Sequence, residues 1–245
     1  MINSLVLQSM QLFFIPQIDQ EIIDLPAEEA RHAVQVLRKR VGDELDIVDG
    51  KGGWYRGLIT EVTKRSCTVL LTQTRKETLR ANYHLTMAVS PTKSNDRFEW
   101  FLEKATEIGV DTIIPLQCSR TERPRVRIDR YEKVLVAAMK QSLQAWLPEL
   151  KELTPFEEVV QQFQENQATY IGWCNEEVKS PLIDNYQPST NVLILIGPEG
   201  DFTEEEVQMA RAKGCQPITL GPTRLRTETA ALVATQSIAL LNQLR

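Results

Sequence analysis

Asn191-Val192-Leu193-Ile194-Leu195-Ile196-Gly197-Pro198-Glu199-Gly200-Asp201 is the stretch on which the fold turns. Val192 to Ile196 is apolar at every position, the pattern of a strand buried on both faces at the centre of a parallel sheet. It runs into Gly-Pro-Glu-Gly, at the carboxyl edge where open α/β sheets place their ligands. Thr203 and Glu206 then form a capping box for a helix over 204–213, with Gly214 at its end. Working outward, strands and helices alternate. Upstream lie a strand at 83–89, a helix at 96–108, a strand at 112–116 and a helix at 129–145. A short helix near 156–163 and a strand at 169–173 complete the approach to Val192. Phe98, Phe101, Leu102, Ala105 and Ile108 share one helical face, and Gly109 stands where a left-handed cap belongs. Downstream come a strand at 217–220 and a helix at 228–244. The fold class is α/β, with a mostly parallel sheet covered on both faces.

The first 75 or so residues read differently. A short strand at 11–15 precedes a helix over 27–37 that opens at Pro26 and carries Ala30, Ala33, Val34 and Leu37 on one face. Strands at 44–48, 54–60 and 66–72 follow, the first two joined by the glycine-rich turn Asp49 to Gly53. This predicts a small β-barrel with one helix, and a domain boundary near 74–82: residues 1–76 against 77–245.

Composition bounds the function. The 245 residues carry 28 basic and 33 acidic side chains, a net charge of −5, which disfavours non-specific coating of nucleic acid but leaves room for a local basic face. No apolar run is long enough to span a bilayer, and the start lacks the features of a signal peptide, so a cytoplasmic protein is expected. The four cysteines are widely spaced and there are two histidines, so neither a disulfide framework nor a zinc site is expected. No dinucleotide fingerprint, phosphate loop, nucleophile elbow or zinc-protease motif occurs.

Two segments remain as carriers of chemistry. In the first, Gly197 and Gly200 let a ligand approach the backbone, and Pro198 fixes the turn. The helix behind it opens Glu204-Glu205-Glu206, which repels phosphate and suits a neutral or cationic ligand. The second is Leu220-Gly221-Pro222-Thr223-Arg224-Leu225-Arg226-Thr227-Glu228-Thr229-Ala230. Here Thr227 is the expected N-cap and Glu228 lies in the first turn of the last helix. A cation just before a helix N-terminus opposes the dipole, so Arg226 needs a partner. Glu199 or Glu228 is one candidate; an RNA phosphate or a reacting base is the other.

Gly-Pro-Glu-Gly after an apolar strand, followed by Leu-Gly-x-x-x-Leu-Arg-x-Glu-Thr-Ala and a closing helix, resembles the SPOUT superfamily of RNA methyltransferases. Within it the chain is similar to the 16S ribosomal RNA uracil-N3 methyltransferase family. The resemblance extends to a PUA-like amino-terminal domain (Phe13-Phe14, His32-Ala33, Val36-Leu37-Arg38, Val41-Gly42-Asp43). It also takes in the loop from Lys93 to Arg97, Lys104 to Val110 and Gln141-Ser142. One departure is Asp201, where the family often has a third glycine. The resemblance implies a carboxy-terminal trefoil knot, against the general rarity of knots, and a homodimer packed through it. It also implies S-adenosylmethionine bound by three loops: Ile171, Gly172 and Trp173; Ile196, Gly197, Pro198, Glu199 and Gly200; and Leu220, Gly221, Leu225, Arg226, Thr227 and Thr229. Ala231, Ala234, Ile238 and Leu241 recur on one face of the last helix, suited to core or to such an interface.

The implied reaction is methylation of N3 of a uridine in 16S ribosomal RNA of the small subunit, with Arg226, Glu199 and Glu228 as the catalytic candidates. A ribose 2′-O-methyltransferase and a non-catalytic ribosome-assembly factor are the alternatives. RNA contact is expected at Arg38, Lys93, Arg97, Arg120, Arg123 and Arg125. The last three belong to a run, Ser119 to Arg130, with five arginines against two carboxylates. Affinity is then expected to fall steeply with salt, and replacing Arg123 and Arg125 should flatten that slope.

Overall fold

A computed structural model describes residues 10–63, 66–76, 82–122, 125–175 and 180–244. They form two compact units. One combines the described part of Met1–Arg80 with Val136–Leu147; the other combines the described part of Ala81–Leu135 with Pro148–Arg245.

The first unit holds β1 (Leu12–Phe14), β2 (Ile22–Asp24), β3 (Glu44–Val48), β4 (Gly53–Val62) and β5 (Cys67–Lys76), in the spatial order β1-β3-β4-β5-β2. Phe13, Leu45, Ile47, Ile59 and Val69 meet Ala30 and Ala33 in one core. The predicted helix over 27–37 is regular only over α1 (Ala27–Arg31). It then widens into a π-turn, His32–Val36, in which the Leu37 N–H reaches the His32 carbonyl at 3.0 Å. Arg38 closes it at φ +57°, a left-handed geometry that periodicity does not reveal.

The second unit contains β6 (Leu85–Val89), α2 (Asn95–Ile108), β7 (Thr112–Gln117), the first half of α3 (Ile128–Gln141), β8 (Glu149–Leu150), β9 (Thr154–Pro155) and α4 (Phe156–Gln161). It continues with β10 (Ala168–Gly172), α5 (Leu182–Asn185), β11 (Val192–Ile196), α6 (Glu204–Ala212), β12 (Gln216–Ile218) and α7 (Thr227–Gln243). The sheet order is β12-β10-β11-β6-β7-β8, with β9 also on β7, and each of these pairings is parallel. All five residues of β11 are buried, each side chain contributing roughly 1.5–3 kcal/mol of hydrophobic stabilisation. The Thr203–Glu206 capping box is present in full, and Gly109 caps α2 at φ +106°.

Three expectations are corrected. The helix predicted over 129–145 stops at Gln141, and from Val136 onward the chain belongs to the first unit. There Met139 and Ala145 pack with Leu12 and Val48, so the linear division at 76/77 misses a return of the chain. Arg226, not Thr227, is the N-cap residue of α7. Thr227 is already helical, and its hydroxyl donates to the Gly197 carbonyl at 3.0 Å.

Candidate active site

The loops after β10, β11 and β12, all at carboxyl ends of neighbouring strands, enclose a cavity of ≈ 1120 Å³. That is above the roughly 300–1,000 Å³ of ordinary small-molecule pockets, with room for a cofactor and part of a substrate. Gly172, Trp173, Ile196, Gly197, Pro198, Glu199, Leu220, Gly221, Leu225, Arg226 and Thr227 line it, as the sequence proposes. Ile171, Gly200 and Thr229 do not. Ile171 is buried in the sheet core, and Gly200 faces Arg120. Cys174, Asn175, Asp201, Thr219 and Arg224 line the wall without having been anticipated. The signal for Arg224 lies in the loop itself, which carries two arginines, Arg224 and Arg226.

The turn after β11 is held from several sides. Asp201 N–H donates to the Pro198 carbonyl at 2.9 Å, closing it. Gly197 lies against Phe202: a Cβ there would stand 3.1 Å from the ring and 3.2 Å from the Phe202 nitrogen. Arg120 Nη1 donates to the Gly200 carbonyl at 2.7 Å and reaches that of Phe202 at 3.4 Å. Arg120 thus braces the turn, a role that stands beside the phosphate contact expected of it. Glu206, besides its cap, accepts from the Ser119 N–H and hydroxyl, fixing the backbone that carries Arg120.

Of the two kinds of partner open to Arg226, the carboxylates Glu199 and Glu228 are engaged elsewhere. Glu199 Oε1 accepts from the Lys93 N–H at 3.0 Å, and Arg224 Nη2 donates to the Glu199 carbonyl at 3.3 Å. Glu228, 7% exposed, faces Arg97 Nε at 3.8 Å. Glu199 Oε2 and Glu228 Oε2 are both buried with no hydrogen-bond partner. Arg226 itself is exposed on the cavity wall, and its guanidinium has no bond or ion pair among the described residues. A cavity lined by an unengaged guanidinium and by Glu199, whose buried Oε2 has no partner, is built to meet a polar ligand, because buried polar groups are otherwise satisfied; Glu228 does not line it.

The other RNA candidates divide. Lys93 pairs with Glu122 at 3.1 Å, while Arg127 and Arg130 pair with Asp129 (3.7 Å) and Glu99 (2.6 Å). Arg38 and Arg125 are exposed. Arg123 lies outside the described residues. No cluster that could hold a metal ion occurs among the described residues.

The cysteines provide a direct check on burial. Cys67, Cys118 and Cys215 are buried and Cys174 is exposed. Burial pushes the Cys215 thiol up to about 12 and raises that of Cys118 strongly. Cys174 is raised first by partial burial and then by the Asp201 charge, with Arg224 opposing. One thiol of the four is therefore expected to react promptly with an aromatic disulfide reagent, its rate still rising with pH beyond the ordinary thiol range. Unfolding should release all four, and two fast thiols in the native protein would contradict the packing.

A family profile described as an RNA methyltransferase domain matches residues 79–239, and one described as an RNA methyltransferase PUA domain matches 25–72. Ribosomal RNA small subunit methyltransferase E of Rickettsia conorii is 31% identical, covering 89% of this chain and 90% of its own length. The protein of the same name from Bacillus subtilis is 26% identical over 96% and 98%. Among solved structures, a probable rRNA-methyltransferase from Porphyromonas gingivalis is 38% identical, with a TM-score of 0.91, and covers 96% of this chain and 99% of that one. Ribosomal RNA small subunit methyltransferase E from Neisseria gonorrhoeae, bound to S-adenosyl methionine, is 28% identical with a TM-score of 0.86, covering 95% and 98%. With its cavity at the carboxyl edge of a parallel sheet and these matches along nearly its whole length, the chain belongs to the RNA methyltransferase family, among the ribosomal RNA small subunit methyltransferases E.

Proposed function

We propose that the protein methylates N3 of a uridine in 16S ribosomal RNA, using S-adenosylmethionine bound in the three-loop cavity. The observation that carries this reading is that Arg226, with its unengaged guanidinium, and Glu199, with its partnerless Oε2, line the same cavity. The cavity suits this cofactor: glycine backbones at 172, 197 and 221 allow close approach, and Glu199 brings a carboxylate to a lining meant for a cationic ligand. When bound, the cofactor supplies an electrophilic methyl group on a sulfonium. The chain supplies the rest. Arg226 stabilises the negative charge that develops on a uracil carbonyl oxygen as N3 loses its proton. Glu199 Oε2 accepts that proton, held in place through the Lys93 N–H on Oε1. Glu228 anchors Arg97 at the same edge. Gly221, at φ +144°, carries the backbone of the third loop across the pocket.

Arg38 and Arg125, exposed, with Lys93 and Arg97 at the sheet edge, supply the phosphate contacts in this proposal. Such a substrate implies a cytoplasmic enzyme; no described helix is long and apolar enough to cross a membrane.

The proposal includes three architectural points. The carboxy-terminal strands and α7 form a trefoil knot, a reading supported by the bonds that the chain leaving β12 makes to the turn after β11, Arg224 to Glu199 and Thr227 to Gly197. The five-stranded sheet curls into a PUA-like barrel, since residues from β1, β3, β4 and β5 share one interior. The enzyme is a homodimer through the knotted unit. Ala231, Ala234 and Ile238 of α7 are consumed by the chain's own core, but Leu240 (46% exposed) and Leu244 (71%) are left outside, as is Trp100 (41%) on α2.

The test is incubation of the purified protein with labelled S-adenosylmethionine and either small subunits or free 16S RNA, followed by nucleoside analysis. N3-methyluridine is the expected product. A label that blocks alkaline hydrolysis of the neighbouring phosphodiester would instead assign ribose 2′-O-methylation, and no label would assign an assembly factor.

A further inference from the structure

We propose that Asp201 is a positioning residue, a latch that fastens the loop after β10 to the turn after β11 and so holds two walls of the cavity in register. Its φ is +63°, in the left-handed region that glycine occupies without steric cost and aspartate tolerates better than most residues. The carboxylate uses this geometry. Oδ1 accepts from the next N–H, that of Phe202, at 2.8 Å, and so stabilises the left-handed bend locally. Oδ2 accepts from the N–H of Cys174 at 3.0 Å, crossing to a loop that is remote in sequence. Glycine at this position would give the same bend and fasten nothing.

The tie matters because of what lies on each side of it. Trp173, Cys174 and Asn175 form one wall of the cavity, Gly197 to Glu199 the adjoining one. The turn is already braced on its other flank by Arg120 on the Gly200 carbonyl, so it is a fixed post. The Trp173 N–H donates to the Ile218 carbonyl at 3.3 Å, which secures the root of the first loop. Asp201 supplies the bond one residue further on, where the chain leaves the sheet. A loop fastened before the ligand arrives costs less to order on binding.

The consequence for affinity rests on the S-adenosylmethionine reading; the latch itself does not. The test compares Asp201→Gly and Asp201→Asn with the full-length wild type. Glycine is compatible with the bend, so the variant keeps its fold while losing both side-chain bonds. Hydrogen–deuterium exchange at the Cys174 amide is expected to accelerate by about tenfold in Asp201→Gly, the scale of one hydrogen bond to a charged acceptor. Calorimetry should show S-adenosylmethionine and S-adenosylhomocysteine weakened by the same factor, since a latch does not distinguish sulfonium from thioether. Asp201→Asn tolerates the bend and retains one acceptor oxygen, and should fall between. Unchanged exchange at Cys174 in Asp201→Gly overturns the latch. Loss of affinity for S-adenosylmethionine alone overturns it in favour of a direct charge contact. A wild type that binds neither compound overturns the cofactor reading and the affinity half of the proposal, while exchange still decides the fastening.

Discussion

Replacing Arg226 by alanine is expected to lower turnover by about 10²–10³-fold while leaving affinity for S-adenosylmethionine within about twofold of the wild type. The separation follows from where the side chain stands. Arg226 makes no capping bond to α7, so its loss removes no helix stabilisation. Its guanidinium holds no other part of the fold among the described residues, unlike Arg120, Arg224 or Arg97, whose partners are backbone carbonyls or Glu228. A free cation on a cavity wall beside a helix N-terminus is retained at an electrostatic cost. That cost is explained if the group meets negative charge that appears only during reaction. Methyl transfer under saturating rRNA, with calorimetry on the same preparation, measures both quantities. Arg226→Lys keeps the charge but not the planar fork and should recover a minor part of the rate. Wild-type turnover in Arg226→Ala would remove Arg226 from the mechanism and leave Arg224, on the same wall, as the better candidate.

The loops that form the cavity are legible in the sequence because their physics is local. A five-residue apolar run ending in Gly-Pro leaves little alternative to a buried strand and a sharp turn, and β11 has those bounds. The capping box at Thr203 and the glycine after Ile108 are likewise short-range signals. What escaped depends on pairing between distant residues. Strands β2, β8 and β9 are two or three residues long, too short for periodicity to register, and exist because a longer strand offers them an edge. The return of Val136–Leu147 to the first unit is decided by tertiary burial of Met139 and Ala145. The choice of partners was equally hidden. Composition marks Ser119 to Arg130 as a basic run, yet Arg120 bonds two carbonyls of the turn after β11 and Arg130 pairs with Glu99. Local charge counts the cations in a segment; it does not say which of them the fold has already engaged.

Truncating Phe202 to alanine is expected to be the most destabilising single change near the site, at about 3–5 kcal/mol, by loss of buried aromatic area and the cavity left behind. Phe202 is 2% exposed and packs on Phe156 with ring centroids 5.5 Å apart. Its ring also forms the floor against which Gly197 rests. The destabilisation should therefore not stay in the core. Without the ring the turn after β11 loses its floor while Arg120 still pulls on its Gly200 carbonyl, so Gly197 and Glu199 shift relative to the third loop. For a unit of this size the midpoint of thermal unfolding should drop by roughly 10 °C, and the further rise produced by saturating S-adenosylhomocysteine should shrink. Phe202→Leu keeps most of the volume and should preserve most of both. If Phe202→Ala lowers the midpoint but leaves the ligand-induced rise intact, the floor is structural only, and the bonds from Arg120, Arg224 and Thr227 suffice to hold the turn. Those three bonds come from two segments, one at Arg120 and one leaving β12, whereas the ring lies directly against Gly197, which is why it is expected to matter more than any one bond.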